Sequence, residues 1–352
     1  MIFPLCATYG FKNNSHDFLE WDGDDKPPRE LLGLTDKPAG HVIPKEQWWP
    51  AVSCRQVGEW WAIWSIIPDP EAPRAGMVKS KVFLWPINEI SKVNNLEKYI
   101  SILVGDEQKP LSTADQYFID DLLNELTSSD QALIIDSISL VPHIINILWK
   151  NLWDEAKVNF SVRVSFTPPQ AFNRANHPTF YCVPSSLTNQ WFNQNVKIIV
   201  PQDGTELSRA ARYLNDNNDA TISELIKVCG QRSGNIKLLG RLARAADNID
   251  IYRRDNDAGS IISALRSIIA CAAQPSEASV LKSELLLPLK AHFANNSITI
   301  DQVLSLSNLS EDNVLGDRLP NKEISNWIYE HLPLVIPDKL ISIFERCSPK
   351  KS

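Results

Sequence analysis

The pattern of hydrophobic and polar positions divides the chain into three parts, and Pro and Gly interrupt the first of them often. Residues 1–108 contain β-prone runs at 57–67 and 78–85, and the spacing over 96–104 predicts a short helix. Nearly every residue between positions 60 and 66 is apolar, which is typical of a strand that is buried on both faces. We therefore expect a β-rich α+β domain over residues 1–108.

The second part, residues 109–202, alternates between helical and extended patterns. Thr113 as N-cap and Gln116 three residues later predict a capping box at the start of a helix. A second helix follows a short buried strand, begins at Asp136–Ser137 and carries an apolar stripe that ends at Leu152 and Trp153. Strands are predicted at 132–135, 159–167, 180–183 and 196–200. This order predicts an α/β section packed on the first domain.

The third part, residues 203–352, has a purely helical pattern and few aromatic residues. The first 202 residues hold 24 of the 30 Phe, Trp and Tyr, and 201–204 have the composition of a turn. One apolar stripe consists of Ile261, Ile262, Leu265, Ile268 and Ile269. Pro275 and Pro288 are expected to end or kink helices, and shorter helices are predicted at 323–332 and 339–347. The fold class is thus α+β, with a Trp-containing β-rich N-terminal domain, an α/β middle section and an all-α C-terminal domain.

Composition restricts the function classes. A hydrophobic content of 43% and a charged content of 22% are those of a soluble globular protein, and a net charge of −7 disfavours non-specific binding to nucleic acid. The six cysteines form no CxxC pair, and we find neither a secretory signal nor a run of roughly 20 apolar residues. These features predict a cytoplasmic protein with reduced thiols and no membrane contact.

The usual catalytic motifs are missing from the sequence. It contains no GxxxxGK[ST], GxGxxG, GxSxG or HExxH, and its six histidines form no ligand-spaced pair. We therefore predict no catalytic residue, no metal site and no cofactor, and an enzyme is the less favoured class. The enzymatic alternative is a hydrolase with a dispersed site that uses His16, Asp17 or Asp36. For His16 and Asp17, however, a solvated acidic turn between two strands is the favoured interpretation.

Two further groups of residues have a functional and a structural interpretation. Cys182 and His177 are five positions apart, and a buried thiol is favoured over a nucleophilic pair. Lys237, Arg241 and Arg244 recur at i, i+4 and i+7 and would form a basic helical face within 232–254. Such a face would contact an acidic partner, a nucleotide phosphate or an RNA backbone. The favoured interpretation is a solvated face that the aspartates nearby neutralise.

Tryptophans are concentrated in the first part of the chain. Seven of the eleven lie in the first 85 residues, and most are expected to be core residues. Trp48 and Trp49 are the exception, because adjacent side chains in an extended segment point to opposite sides. One of the two should be partly exposed, and beside Arg55 or Lys45 it would be an interface anchor.

The order of several short motifs resembles the N-terminal domain of the bacterial GTPase-associated proteins. These motifs are Tyr9-Gly10, Ser15-His16-Asp17-Phe18-Leu19, Thr35-Asp36-Lys37-Pro38, Trp60-Trp61-Ala62-Ile63 and Asp69…Arg74-Ala75-Gly76-Met77-Val78, followed by Arg163–Thr167 and Val183-Pro184…Trp191. The resemblance covers roughly residues 5–200. It implies a non-enzymatic adaptor that works beside a separate NTPase or effector in prokaryotic conflict (anti-phage) systems, and it assigns no catalytic residue.

We therefore predict a non-enzymatic adaptor or recognition subunit of a prokaryotic defence complex. Its partner would be a protein, an NTPase or effector encoded nearby, and nucleic acid would be contacted only through a local basic face. In the Asp69–Met77 loop, Gly76 would permit a tight turn and Arg74 would pair with Asp36 or Asp69. The predicted binding residues are Trp48, Trp49, Asp36, Asp69, Arg74, Lys237, Arg241 and Arg244.

Overall fold

The computed structural model describes residues 3–43, 45–105, 110–169, 177–202, 204–230, 234–272, 274, 276–307 and 321–331. The chain divides into two compact units. The first runs to Asn218 and includes the short segment that ends at Lys237, and the second comprises the residues from Asp219 onward apart from that segment. The predicted helix at 339–347 lies outside the described residues.

The first unit is built on one nine-stranded sheet in the order β2-β1-β5-β4-β3-β7-β8-β6-β9. The strands are β1 (Leu5–Lys12), β2 (Ser15–Trp21), β3 (Ala51–Val57), β4 (Trp60–Pro68), β5 (Val78–Pro86), β6 (Ala132–Ile135), β7 (Val162–Val164), β8 (Phe180–Cys182) and β9 (Val196–Ile198). Strands β1–β5 pair antiparallel, β7 joins β3 antiparallel, and β6–β9 are parallel to one another. The predicted β-rich and α/β sections therefore contribute to one continuous sheet. The three-domain division at 108 and 202 stays a prediction.

Six α-helices are found among the described residues of this unit. They are α1 (Leu31–Leu34), α2 (Glu97–Val104), α3 (Thr113–Ser128), α4 (Val141–Asn151), α5 (Asp154–Asn159) and α6 (Arg209–Asp216). Helix α2 packs on β4 and β5 and against α4, while α5 packs on β3. Helix α1 lies on the opposite face, where the Ser80 hydroxyl of β5 donates a hydrogen bond to the Thr35 carbonyl at 2.6 Å. We call the two sides of the antiparallel strands the α2 face and the α1 face.

Aromatic side chains form the core on the α2 face. Trp61 and Trp85 lie opposite each other on β4 and β5, and both are fully buried. Trp149 of α4 packs on Trp61 with a centroid distance of 4.5 Å. The indole N–H of Trp61 donates a hydrogen bond to the Phe160 carbonyl at 3.2 Å, and that of Trp149 donates to the Val93 carbonyl at 2.7 Å. Large apolar rings with paired N–H groups suit Trp61 and Trp149 to the core, whereas the buried N–H of Trp85 has no partner among the described residues.

The second unit is helical in its described residues. It contains α7 (Ala220–Leu225), a π-helical turn (Ile226–Gly230), α8 (Leu238–Asp255), α9 (Ala258–Cys271), α10 (Ser279–Ala294), α11 (Ile300–Ser307) and α12 (Asn321–His331). Helices α8 and α9 pack together, α10 packs on α9, and α12 packs on α10. Together with the sheet of the first unit, this confirms the predicted α+β class. Within the described residues, no helix combines the length and the apolarity that crossing a membrane requires.

Several predicted elements are displaced. The run 57–67 is not one strand, since Gly58 with φ +59° makes a tight turn between β3 and β4. The cap of α3 is Ser112 with Asp115, one residue earlier than Thr113 and Gln116, because the Ser112 side chain accepts from the Asp115 amide. Helix α4 begins at Val141 without a side-chain cap and ends before Trp153, and Asn159 belongs to α5 rather than to β7. Pro288 lies inside α10, while Pro275 is outside the described residues.

Candidate functional site

Trp48 and Trp49 lie at the edge of the sheet where β7 ends and β3 begins. These two strands are antiparallel, so the segment that precedes β3 and the segment that follows β7 meet at one edge. Trp48 is 8% exposed and Trp49 is 38% exposed. The Trp48 ring contacts Trp49 edge-on at 5.7 Å and Phe166 edge-on at 5.4 Å. We call these three aromatic residues the tryptophan edge.

Polar contacts fix the tryptophan edge to the rest of the unit. The Glu46 carboxylate accepts hydrogen bonds from the Ser186 amide at 3.1 Å and from the Ser186 hydroxyl. The Gln47 side chain donates to the Trp49 carbonyl at 2.9 Å. An exposed indole on a segment held in this way loses little conformational entropy when a partner covers it, which is the property of an interface anchor.

The structure confirms that one of the two adjacent indoles is exposed. The cation that lies over a ring of this pair is Lys37, not the predicted Arg55 or Lys45. Lys37 lies over the Trp48 ring at 5.8 Å, whereas Arg55 belongs to β3 and lines a cavity on the α1 face. The sequence could not identify Lys37, because it precedes Trp48 by 11 positions and only the fold brings the two side chains together. The binding role of both tryptophans stays a prediction.

The Asp69–Met77 loop is the hairpin connection between β4 and β5. Gly76 has φ +84°, which confirms the predicted turn, and the Asp69 amide donates to the Met77 carbonyl at 2.9 Å. The Asp69 carboxylate accepts from the Glu71 amide at 3.2 Å. Arg74 is exposed and pairs with neither Asp69 nor Asp36 among the ion pairs of the described residues, so the predicted lock is wrong. The turn itself uses the Asp69 carboxylate.

His16 and Asp17 lie within β2 rather than in a turn, and Asp36 is close enough to act on the imidazole. Burial lowers the pKa of His16, while the charges of Asp36 and Asp17 oppose that shift. The imidazole Nε2 is 3.1 Å from the Thr35 hydroxyl, which donates to the Leu31 carbonyl, so Nε2 carries the proton and donates. Nδ1 is buried without a hydrogen-bond partner. Since neither ring nitrogen is open to a substrate, this arrangement is structural in character.

The stability of the first unit is expected to fall as the pH decreases below about 6.5. Because the pKa of His16 is lower in the folded chain than its ordinary value, the unfolded chain binds protons first. The stabilisation is thus complete above pH 6.5 and is lost as the pH falls through the lower, folded pKa. Urea titrations of the wild type and of His16→Gln at about pH 5.5 and about pH 7.5 should show a smaller pH effect on the free energy of unfolding in the variant. The exposed His41→Gln variant is the control, and equal pH effects in wild type and His16→Gln would contradict this account.

Two adjoining cavities lie on the α1 face. The larger has a volume of about 590 Å³ and the smaller about 220 Å³. Both are lined by Leu34, Trp64, Arg163 and Pro169. Asp36, one of the predicted binding residues, lines the smaller cavity. Thr167 also lines the smaller cavity, one residue after Phe166 of the tryptophan edge.

His177 and Tyr181 close one side of the larger cavity. His177 Nδ1 is 3.3 Å from the Tyr181 hydroxyl, and the pKa of His177 is lowered by burial and by the charge of Lys237. Burial raises the pKa of Tyr181, and Arg163 opposes this shift. His177 thus meets Tyr181 and not Cys182, whose fully buried thiol has a pKa that burial raises above its ordinary value. The buried-thiol interpretation of Cys182 is confirmed.

The predicted basic helical face is only partly formed. Lys237 precedes α8 and belongs to the first unit, so it is not on the helix with Arg241 and Arg244. Those two arginines are exposed on α8. Nearby cations of the same region are paired: Arg253 with Glu224 and Asp250, and Arg254 with Asp255. The solvated interpretation therefore fits Arg253 and Arg254, while a contact role for Arg241 and Arg244 stays a prediction.

The cavity arginines were missed from the sequence. Arg163 lies between the buried Val162 and Val164 of a short strand, and Arg55 follows four buried residues of β3. The sequence feature that could have identified them is a single cation within an otherwise apolar strand. Successive side chains of a strand point to opposite faces, so this cation lies on the face away from the packed one. Among the described residues, no group of three or more His, Cys, Asp or Glu side chains is arranged to hold a metal ion.

Comparison with known proteins gives one family assignment for part of the chain. Residues 5–103 match the family model of the GTPase-associated protein 1 N-terminal domain, type 1. This segment contains β1–β5, α1, α2 and the Trp48–Trp49 pair, and the match supports the resemblance to the GTPase-associated proteins. No curated protein and no solved structure matches the chain.

Proposed function

We propose that this chain is a non-enzymatic recognition subunit of a prokaryotic defence complex that acts with a separate NTPase or effector. The observation that carries the proposal is the tryptophan edge, where the partly exposed Trp49 packs edge-on against the buried Trp48. Large aromatic residues at the centre of a contact supply much of the binding energy of protein interfaces. The pair lies inside the segment that matches the family model.

The class of the partner follows from two arguments of different kinds. The matching family is described as GTPase-associated, which supports a GTPase as the protein that this chain acts with. The tryptophan edge combines apolar rings with the Lys37 ammonium, a combination that fits an apolar or acidic patch on a protein. Helices α8–α12 would provide a second surface for the same assembly.

Co-expression tests the proposal. The full chain, carrying an affinity tag, is produced together with each protein encoded beside it in its source genome, and the eluates are analysed by size-exclusion chromatography. We expect co-elution with an NTPase or effector at a fixed stoichiometry. A chain that elutes alone with every such neighbour would refute the proposal.

A further inference from the structure

We propose that the larger cavity on the α1 face binds the phosphate group of a small phosphorylated molecule of nucleotide size. The phosphate would lie between the guanidinium groups of Arg55 and Arg163, and the remainder of the molecule would extend past Trp64 toward Asp36 in the smaller cavity. This inference is independent of the protein contact proposed above.

The strand register places both arginines on the same face. Cys54 of β3 pairs with Val162 of β7, so Arg55 lies opposite Ser161 and Arg163 is its diagonal neighbour. Diagonal neighbours in an antiparallel pair are separated by about 7–8 Å at Cβ, within reach of long side chains. The two guanidinium groups can therefore converge on one anion.

The charges of the larger cavity are unbalanced. None of the described residues that line it is acidic, and both arginines line it. Within the described residues, Arg163 is in no ion pair, and the hydrogen bond found for the Arg55 side chain goes to the Gln56 carbonyl at 3.0 Å. Two neighbouring cations repel each other, and a bound phosphate would turn that repulsion into charge-assisted hydrogen bonds.

Trp64 is a wall shared by the two cavities. It lines both of them and is 3% exposed. Its indole N–H is buried without a hydrogen-bond partner in the described part of the chain, and so is the N–H of Trp85 on the α2 face. Trp64 therefore offers a ligand the apolar surface of its ring rather than a hydrogen-bond donor.

The volume of the two cavities and the position of Asp36 at the far end of the site define the class of ligand. A volume of about 590 Å³ is within the range of small-molecule sites, and the 220 Å³ cavity adjoins it. Asp36 in the smaller cavity would repel a second phosphate and would accept from a hydroxyl or amine. A mononucleotide has this distribution of groups, with the phosphate at one end and hydrogen-bond donors at the other.

Isothermal titration calorimetry of the full chain tests the inference. The probes are AMP, GMP, inorganic pyrophosphate, adenosine and citrate. We expect binding of a mononucleotide or pyrophosphate, with affinity reduced about tenfold or more in Arg55→Gln and in Arg163→Gln, because each loses a charge-assisted hydrogen bond.

Arg212→Gln is the matched control, since Arg212 is an exposed arginine of the same unit on α6 and lines neither cavity. Tighter binding of a mononucleotide than of pyrophosphate identifies the nucleotide as the source of the phosphate, and the reverse identifies a free oligophosphate. The inference is overturned if neither binds at about 1 mM. It is also overturned if citrate binds as tightly, or if the cavity variants bind like Arg212→Gln.

Discussion

Replacing Trp61 by alanine is expected to lower the free energy of unfolding of the first unit by about 3–5 kcal/mol. The indole is fully buried, contacts the Trp149 ring at 4.5 Å and donates to the Phe160 carbonyl. Truncation leaves a large cavity between β4 and α4 and an unpaired carbonyl at Phe160. Urea unfolding followed by far-UV circular dichroism measures the change.

Trp49→Ala is the matched control for this stability effect. Its indole is 38% exposed, so its removal should change the free energy of unfolding by about 1 kcal/mol or less. If Trp61→Ala unfolded at the same urea concentration as the wild type, the core on the α2 face would not be what holds the unit together.

The same Trp49→Ala variant is expected to weaken the complex with the protein partner by at least about 30-fold, because truncation of an anchoring tryptophan costs about 2 kcal/mol or more. Trp49 stands on Trp48 and its segment is fixed through Glu46 and Ser186, so the side chain is oriented before binding. Surface plasmon resonance with the co-purified partner measures the dissociation constant.

Phe192→Ala controls for the loss of any exposed aromatic side chain. Phe192 is 66% exposed and follows the 3-10 helix Ser185–Trp191, outside the tryptophan edge. Its removal should leave the affinity within about twofold of the wild type. Equal losses in the two variants would mean that the contact is not specific to the tryptophan edge.

The sequence predicts elements well where the pattern is local. The buried strand at Ala132–Ile135 and helix α2 are found almost as expected, and residues 61–66 are buried on both faces of the sheet as the apolar run indicates. Cap and turn positions are predicted less accurately from the sequence. Ser112 and Thr113 both have hydroxyls, and only the backbone geometry selects Ser112 as the cap. The β3–β4 turn was missed because its apolar flanks resemble one continuous strand.

The candidate site depends on contacts between residues that are distant in the chain. Alternation predicts that one indole of Trp48–Trp49 is exposed, and this requires only local geometry. The contact of Trp48 with Phe166 and the pairing of Arg55 beside Arg163 join segments more than 100 residues apart, through the junction of β3 and β7. Nothing in the pattern of a single sequence specifies that junction.

Hydrogen–deuterium exchange of the full chain, alone and with its co-purified partner, tests the recognition role most directly. We expect the peptide that covers residues 45–51 to exchange at least about tenfold more slowly in the complex, since a partner seated on Trp49 shields this segment from water. Protection confined to the helices of the second unit, with unchanged exchange at residues 45–51, would contradict the assignment of the tryptophan edge as the contact surface.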